Sequence, residues 1–236
     1  MRLVRNSIFI LLCTLFSWSP LVRYASAADQ ADLGKRAQDS AKAFADIMSD
    51  PPNAIPKSVL QAAKCVAVMP SMVQIAVGVG ASHGKGLVTC RTQAGWSAPA
   101  PIDMSGGSWG AQLGGQAVDL VMIVTNDEGM QRLLSSQMKF GTEASVAAGP
   151  LSRHAGVSQD PSMNAEILTY SRARGVFVGT NLNGASLTQD DDDTKALYGD
   201  TLSFSDILQG KTRNPEATQP FLTAVEDYAG RANEQH

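Results

Sequence analysis

A glycine-rich stretch constrains the fold of this chain more than any other feature. Residues 105–125 read SGGSWGAQLGGQAVDLVMIVT, with five glycines in the first half and a nearly unbroken apolar run in the second. An apolar run of this length is typical of a buried strand. Several glycines in one strand indicate bulges, sharp curvature or close approach of another backbone. We therefore predict a curved, glycine-studded strand that continues into a buried one.

The bulk composition indicates one globular domain of low charge. The chain has 236 residues, a net charge of −3, 44% hydrophobic residues and 17% charged residues. It is too apolar for a disordered chain. Its slight acidity and the lack of a basic block argue against a nucleic-acid partner. No internal repeat or low-complexity linker divides it, so we predict a single domain over residues 28–236.

The N-terminus has the regions of a secretory signal peptide. Arg2 and Arg5 precede an apolar run at residues 8–18, and residues 25–27 (ASA) supply the small side chains needed for cleavage. A membrane anchor is the weaker alternative, because the run is shorter than the ~20 residues that span a bilayer. We predict that residues 1–27 are removed by cleavage near Ala27 and that the protein is exported, either to the periplasm or out of the cell.

Two cysteines, Cys65 and Cys90, remain after removal of the signal. An even pair in an exported chain is a candidate disulfide, since oxidising compartments preserve such bonds. Both cysteines lie in strand-like segments that can be neighbours. Two buried thiols are the equally weighted alternative.

Periodicity predicts helices at both chain ends and a sheet between them. Residues 29–49 carry apolar side chains at three- and four-residue spacing, which is typical of an amphipathic helix, and residues 203–232 contain further helices. The amphipathic helix either covers the sheet, which we favour, or lies on a membrane. Residues 64–188 form the sheet core, in which residues 74–82 and 86–91 are expected to pair as a hairpin through a turn at residues 83–86 (HGKG). The predicted fold class is α+β, with a curved, mainly antiparallel β-sheet or barrel-like core flanked by N- and C-terminal α-helices.

One motif points to catalysis. Residues 106–110 (GGSWG) contain Gly-x-Ser-x-Gly, the form of a hydrolase nucleophile elbow centred on Ser108. An elbow requires a helix after the serine, whereas residues 111–125 have the pattern of a strand. We therefore predict no enzymatic activity and no catalytic residue, with a serine hydrolase acting on esters as the third-ranked function.

Metal-binding patterns are weak throughout the chain. His83, His154 and His236 are isolated from one another, unlike the ligands of zinc loops. The acidic run at residues 190–193 lacks the alternating ligands and central glycine of a calcium loop. It is better explained as a solvated loop and a helix start, where carboxylates favour the positive helix end. We predict neither a metal site nor a cofactor.

Seven sequence blocks, in order, resemble the SYLF domain family. They are residues 55–56 (IP), 65–70 (CVAVMP), 78–86, 95–99 (GWSAP), 106–119, 149–150 (GP) and 170–179 (YSRARGVFVG). The resemblance covers nearly all of the mature chain and implies a lipid-binding, actin-associated domain. The expected partner is therefore a phospholipid or membrane surface. Actin is a partner by family analogy only, and the predicted export argues against it here.

Cationic side chains beside the sheet are the candidate lipid-binding residues, because guanidinium groups match phosphate oxygens two at a time. Arg172 and Arg174, two apart on one strand, are expected to share a face. The N-terminal helix is a second candidate, since the resemblance attributes lipid binding to such a segment. The full set is Lys35, Arg36, Lys42, Phe44, Lys85, Arg91, Lys139, Arg153, Arg172 and Arg174. The alternative is that the sheet cations are solvated strand-edge charges.

The function predicted from the sequence is that of an exported, non-enzymatic domain that recognises anionic phospholipid or a related amphiphile at the cell envelope. The alternative is an envelope structural or protein-interaction module that binds another protein through its sheet edges.

Overall fold

One strongly curled mixed sheet forms a half-barrel, and helices from both ends of the chain flank it. This computed structural model describes residues 21–51, 54–149, 165–173, 176–177, 182 and 184–230. The predicted α+β class with a curved, mainly antiparallel sheet is confirmed. Residues 1–20 of the predicted signal peptide lie outside the described residues, and export stays a prediction.

The helices lie mainly at the two ends of the chain. Their bounds are α1 (Leu21–Met48), α2 (Lys57–Ala62), α3 (Asp127–Leu133), α4 (Asp191–Tyr198), α5 (Phe204–Leu208) and α6 (Gln219–Ala229), with a 3₁₀ turn (Glu216–Thr218) before α6. Side-chain caps fix several starts, because they satisfy the free N–H groups of the first turn. Asn126 accepts from the N–H of Gly129 at α3, and Ser203 accepts from that of Asp206 at α5. None of the helices in the described ranges is both long and apolar enough to cross a membrane.

Two very long antiparallel strands form the spine of the sheet. The strands are β1 (Cys65–Thr92), β2 (Gly95–Trp96), β3 (Ala100–Val124), β4 (Gln137–Lys139), β5 (Val146–Ala148), β6 (Ile167–Ala173), β7 (Val176–Phe177) and β8 (Ala185–Gln189). β1 pairs with β3 along nearly its whole length. The other edge of β3 pairs with β6 near one end and with β8 near the other. β4 extends the sheet from β8, β7 pairs with β6, and β5 pairs with β6 in parallel.

The predicted hairpin through residues 83–86 is wrong. β1 passes through this segment as a strand, and Gly84 pairs with Met104. Glycine is needed in this segment because the second half of β1 packs closely against the first half of the same strand, and not because the chain turns. A Cβ atom on Gly84 would lie 2.9 Å from Cγ of Met72, and one on Gly86 would overlap the carbonyl of Val68. Only glycine permits two backbones to come this near.

The sheet has a hydrophobic cluster on each face. Inside the curl, Met69, Ile102, Phe140, Leu187 and Phe204 are fully buried or nearly so. On the other face, α1 and α6 pack Phe44, Ile47, Phe221 and Val225 against Val121. The apolar face of α1 therefore covers the sheet, which was the favoured of the two sequence-based alternatives.

Candidate functional site

The middle of the β1–β3 pair leaves the body of the protein as a ribbon, and among the described residues it is two-stranded from residue 107 of β3 onward, after the last pair with β8. Met72 and Gly84 lie in contact although they are separated along β1, so the strand between them goes out and comes back. Residues 73–83 of β1 and their partners, residues 105–117 of β3, make up this ribbon, which we call the arch. A register shift between Met69 and Met72 marks the point where β1 enters it. Such bulges bend a strand and raise its twist.

A hydrogen bond to a carboxylate fixes the bend at the base of the arch. Ser71 adopts a positive φ of 52°, which is uncommon for a residue with a side chain. Its N–H donates to Oδ1 of Asp119 at 2.8 Å. In the sequence of β3, the buried Val118 alone separates Asp119 from the arch. The Asp119 carboxylate therefore fixes the backbone of β1 where β1 bends into the arch.

The arch has an unusual composition for an exposed ribbon. It contains no Asp, Glu, Lys or Arg, and seven of its residues are glycine. Val73 and Ile75 nevertheless point outward, with 46% and 55% of their surface exposed. Tyr228 of α6 is also exposed, at 37%. The arch therefore presents apolar side chains with no charge beside them.

The register of the sheet explains why these two aliphatic side chains are bare. Val73 and Ile75 are two apart on one strand, so they share a face. Their cross-strand partners on β3 are Ala117 and Gly115. A methyl group and a hydrogen atom cover little of a neighbour, whereas paired large side chains would shield each other. Small residues on β3 therefore leave the side chains of Val73 and Ile75 exposed to solvent.

The geometry of a nucleophile elbow is absent at Ser108. This residue pairs with Gly80 inside the β1–β3 ladder, and the chain continues as strand to Val124. An elbow instead needs a sharp turn from a strand into a helix. The third-ranked hydrolase hypothesis therefore loses the local structure on which it depended.

Two of the predicted lipid-binding cations belong to an internal ion network. Arg36 of α1 contacts Oδ2 of Asp193 at 2.6 Å, and Lys85 of β1 contacts the same atom at 2.9 Å. Lys85 also binds Asp190 at 2.5 Å. Asp190 is the N-cap of α4 and accepts from the N–H of Asp193. The acidic run does start a helix as predicted, but the prediction that it is solvated is wrong for these two carboxylates, which are 9% and 18% exposed.

The network shifts the pKa values of its members. Burial by itself raises the pKa of Asp193, but hydrogen bonding with Asp190, Lys85 and Arg36 outweighs it and lowers the pKa to about 2. Burial likewise opposes the charge of Lys85, and its hydrogen bonds to Asp190 and Asp193 nonetheless raise its pKa. Two cations and two carboxylates balance one another here. The cluster ties α1, β1 and α4 together and has no charge left for a phosphate.

Arg91 and Arg172 bind backbone carbonyl groups. Arg91 donates to Ala63 and to the last carbonyls of α6, Ala229 at 3.0 Å and Gly230 at 3.4 Å. Its guanidinium also lies 4.4 Å from the ring centroid of Trp96, and burial lowers its pKa. These contacts suit a cation, because a helix C-terminus carries negative partial charge and an indole face attracts cations.

Arg172 joins the sheet to the N-terminal helix. Its Nη1 donates to the carbonyl of Asp46 at 2.6 Å. Arg91 and Arg172 therefore both have structural partners, which the solvated-edge alternative did not anticipate.

The remaining candidates divide between exposed lysines and a buried ring. Lys35 and Lys42 are exposed on α1, and each pairs with an aspartate one turn further on, Asp39 and Asp46. Phe44 is fully buried, with its ring centroid 5.2 Å from that of Tyr228. It lies in the core, where a membrane would reach it only if α1 moved.

Three further cations lie apart from these. Lys139 is exposed on the short strand β4. Arg153 and Arg174 lie outside the described residues. The predicted set therefore does not converge on one site within the described part of the chain.

The structure contains a Cys65–Cys90 disulfide, the first of the two sequence-based alternatives. The bridge joins the two ends of β1, 25 residues apart, and both cysteines are fully buried. It therefore lies at the base of the loop that carries the arch.

Comparison with known proteins decides the family. The sequence profile described as Ysc84, Las17-binding protein actin regulator, matches residues 105–228, more than half of the chain. The chain belongs to the Ysc84 family. The resemblance to the SYLF domain, which is the domain of this family, is thereby confirmed.

Relatives in the Ysc84 family are larger proteins. Protein YSC84 of Saccharomyces cerevisiae is 29% identical over 179 residues, which cover 74% of this chain and 38% of that protein. LAS seventeen-binding protein 3 of the same species is 29% identical over 179 residues, covering 74% and 39%. SH3 domain-containing YSC84-like protein 1 of Homo sapiens is 29% identical over 198 residues, covering 82% and 58%. The matched part thus spans roughly two fifths to three fifths of these relatives.

Within this Ysc84-family fold, the arch is a candidate binding surface that the sequence analysis did not identify. A signal for it was present, since residues 74–82 alternate bulky aliphatic side chains with Ala and Gly. The pattern does not say which face is exposed, because that depends on the partner strand.

Among the described residues, no group of three or more His, Cys, Asp or Glu side chains could hold a metal ion.

Proposed function

We propose that this protein is a non-enzymatic domain of the cell envelope that binds the surface of a lipid membrane through the arch. The observation that carries the proposal is the exposure of Val73 and Ile75 on a ribbon without charged side chains. Exposed apolar surface of this kind marks contact with a membrane or a partner. Export of the protein, which the N-terminal sequence predicts, is part of the proposal.

The backbone of the arch suits the interface between lipid headgroups and acyl chains. β1 and β3 satisfy each other's hydrogen-bonding groups along the ribbon, and unpaired backbone groups are costly away from water. Within the described part of the chain no strand pairs with residues 73–83 of β1 on their outer edge, and such backbone groups need water or headgroup partners, so we expect shallow insertion. Moving the exposed parts of Val73 and Ile75 out of water contributes roughly 2 kcal/mol, or about a 30-fold gain in partitioning.

Charge plays a secondary part in the proposed contact. Arg36, Lys85, Arg91 and Arg172 are engaged inside the protein. Exposed lysines of α1 are balanced by neighbouring aspartates. An anionic lipid surface therefore adds to an apolar contact instead of supplying most of the affinity.

Vesicle flotation tests the proposal. The full mature chain is mixed with vesicles of phosphatidylcholine alone and with vesicles that also contain an anionic phospholipid. We expect it to float with both, more with the anionic ones, and we expect V73S/I75S to lose about 30-fold in binding. The matched control is K35Q/K42Q, which removes two exposed lysine charges of α1 and leaves the arch intact. Absence of the wild-type chain from both floated fractions would refute the proposal.

A protein partner is the second candidate, favoured by the names of the relatives. One is named as a LAS seventeen-binding protein, and the family is described as an actin regulator. The same apolar arch, or the edges of the sheet, would then contact a protein of the envelope. Pull-down from an envelope extract with wild type and V73S/I75S separates the candidates, because a specific partner lost with the variant and no vesicle binding would favour this one.

A further inference from the structure

The arch contains a single side chain that can gain a charge near neutral pH. Residues 73–83 and 105–117 hold no Asp, Glu, Lys, Arg, Cys or Tyr, and His83 is their only histidine. Histidine is the side chain whose charge ordinarily changes between about pH 5 and pH 8. Within the arch, a change of charge in this range therefore belongs to His83.

His83 lies on the same face of the sheet as the exposed aliphatic side chains. Met72 is fully buried, and a Cβ atom on Gly84 would lie 2.9 Å from its Cγ, so both positions face inward. Side chains alternate along a strand. Val73 and His83 are each the next residue outward into the arch, so both point to the outer face, which Ile75 shares. The imidazole thus lies at the base of the arch, on its apolar face.

The imidazole of His83 is open to solvent and next to a carboxylate. Its side chain is 62% exposed, and its Nδ1 lies 3.5 Å from Oδ1 of Asp103, which is 25% exposed. A protonated imidazole donates through both ring nitrogens. It can therefore pair with Asp103 through Nδ1 and still offer Nε2–H to a phosphate oxygen, a charge-assisted hydrogen bond.

The charged groups on the helix side of His83 are engaged with one another. Lys85, two residues further along β1, shares the outer face, and its Nζ binds Asp190 and Asp193 of α4. Arg36 of α1 binds the same Asp193. The strand β8 (Ala185–Gln189), which pairs with β3 beside Asp103, contains no charged residue.

The charged groups at the other side of the base also have partners. Asp119 of β3 accepts the N–H of Ser71 and pairs across strands with Arg172, which donates to the carbonyl of Asp46. Carboxylates, lysines and arginines ordinarily keep their charges between about pH 5.5 and pH 7.5. Protonation of His83 therefore changes the charge at the base of the arch by one positive unit against a constant background.

We propose that His83 makes the arch selective for anionic lipid in mild acid. Near pH 7.5 the arch binds a lipid surface by its apolar side chains. Near pH 5.5 the imidazolium of His83 adds a contact with headgroup phosphates, at the level where a shallowly inserted arch meets them. One cation near an anionic surface raises binding by about fivefold, and a surface without net charge gives little gain. This inference rests on the proposed membrane contact of the arch and adds the lipid charge and the pH that favour it.

Flotation at about pH 7.5 and about pH 5.5 tests the inference. The full mature chain is mixed with vesicles of phosphatidylcholine alone and with vesicles that also contain phosphatidylglycerol. For wild type we expect acid to raise binding about fivefold with phosphatidylglycerol and less than about twofold without it. H83Q should lose this gain. H83K should bind at pH 7.5 as wild type does at pH 5.5, which also shows that a substitution at this exposed position leaves the fold intact.

The other two histidines supply the matched control. H154Q/H236Q should keep the gain of wild type. A gain that persists in H83Q, or that disappears in H154Q/H236Q, would overturn the inference by assigning the response to another group. An equal gain with both kinds of vesicle would overturn it as well, because lipid charge would then have no part.

Failure of this inference is distinguishable from failure of the proposed function. Wild-type chain that floats equally at both pH values with phosphatidylglycerol would overturn the role of His83 and leave the apolar contact standing. Absence of the wild-type chain from every floated fraction at both pH values would refute the membrane contact itself, and the role of His83 with it.

Discussion

The amide N–H of Arg91 donates a hydrogen bond of 2.7 Å to the carbonyl oxygen of Lys64. The two ends of strand β1 are therefore neighbours, and the Cys65–Cys90 disulfide lies beside this hydrogen bond. The chain between these ends must leave the body of the protein and return. That path forms the arch. The disulfide therefore closes the same loop of β1 that contains the exposed ribbon.

Removal of the disulfide tests how much this closed loop adds to stability. For C65A/C90A we expect the free energy of unfolding to fall by about 3 kcal/mol, because the bridge restricts a loop of 25 residues in the unfolded chain. Denaturant titration of wild type and variant measures the change. A difference below about 1 kcal/mol would contradict the expectation, since it would mean that the ends of β1 gain little from being joined.

Glycine substitutions test the self-crossing of β1. We expect Gly86→Ala to destabilise the protein by about 1–3 kcal/mol, because its Cβ would overlap the carbonyl of Val68. Gly115→Ala is the matched control in the same sheet. Its Cβ would meet the carbonyl of Gln74 only at 3.9 Å, so we expect a change within about 0.5 kcal/mol or a slight stabilisation. Equal losses for the two variants, measured by thermal and denaturant unfolding, would argue against the crossing.

Protonation of Asp193 makes stability fall in acid. Its folded pKa of about 2 lies below the value of about 4 in an unfolded chain, so the stabilisation is full above about pH 4 and is lost as pH falls towards 2. We expect wild type to lose on the order of 1–2 kcal/mol more than Asp193→Asn over this range. Asp191→Asn, an exposed position in the same helix turn, is the control. If both variants lose stability as steeply as wild type, the network does not have the assigned role.

Much of the fold could be predicted because its signals are local. The spacing of Leu33, Ala37, Phe44 and their neighbours indicates a helix with one apolar face, and that face does cover the sheet. The long path of β1 could not be predicted in the same way. HGKG has the composition of a turn, whereas the reason for Gly84 and Gly86 is contact with Met72 and Val68, which only the folded chain brings near.

The candidate site shows the same division between local and distant determinants. Residue type correctly marks Arg36 and Lys85 as groups that bind anions, but the anion is Asp193, distant in sequence and contributed by α4. Neither periodicity nor spacing contains that pairing. Similarly, the exposure of Ile75 follows from facing Gly115, and the register that pairs them is a property of the whole sheet.

Salt dependence separates an apolar contact from an electrostatic one. Raising salt from about 0.1 M to about 0.5 M screens exposed charges. Because Lys35 and Lys42 are already paired with aspartates, we expect vesicle binding to fall by less than about threefold. Flotation at the two salt concentrations measures this, with a polybasic peptide as the salt-sensitive control. A loss of about a hundredfold would assign the contact to basic residues instead of the arch.

The most direct measurement of the central claim is the environment of the arch when vesicles are present. Ala117→Cys, exposed and opposite Val73, is labelled with an environment-sensitive dye, and Lys57→Cys on α2 is labelled as the control. We predict that vesicles shift the emission of the dye at position 117 to the blue and expose it to a quencher attached to lipid acyl chains, while the dye at position 57 stays unchanged. A dye at position 117 that remains in water while the protein is bound to vesicles would contradict the account.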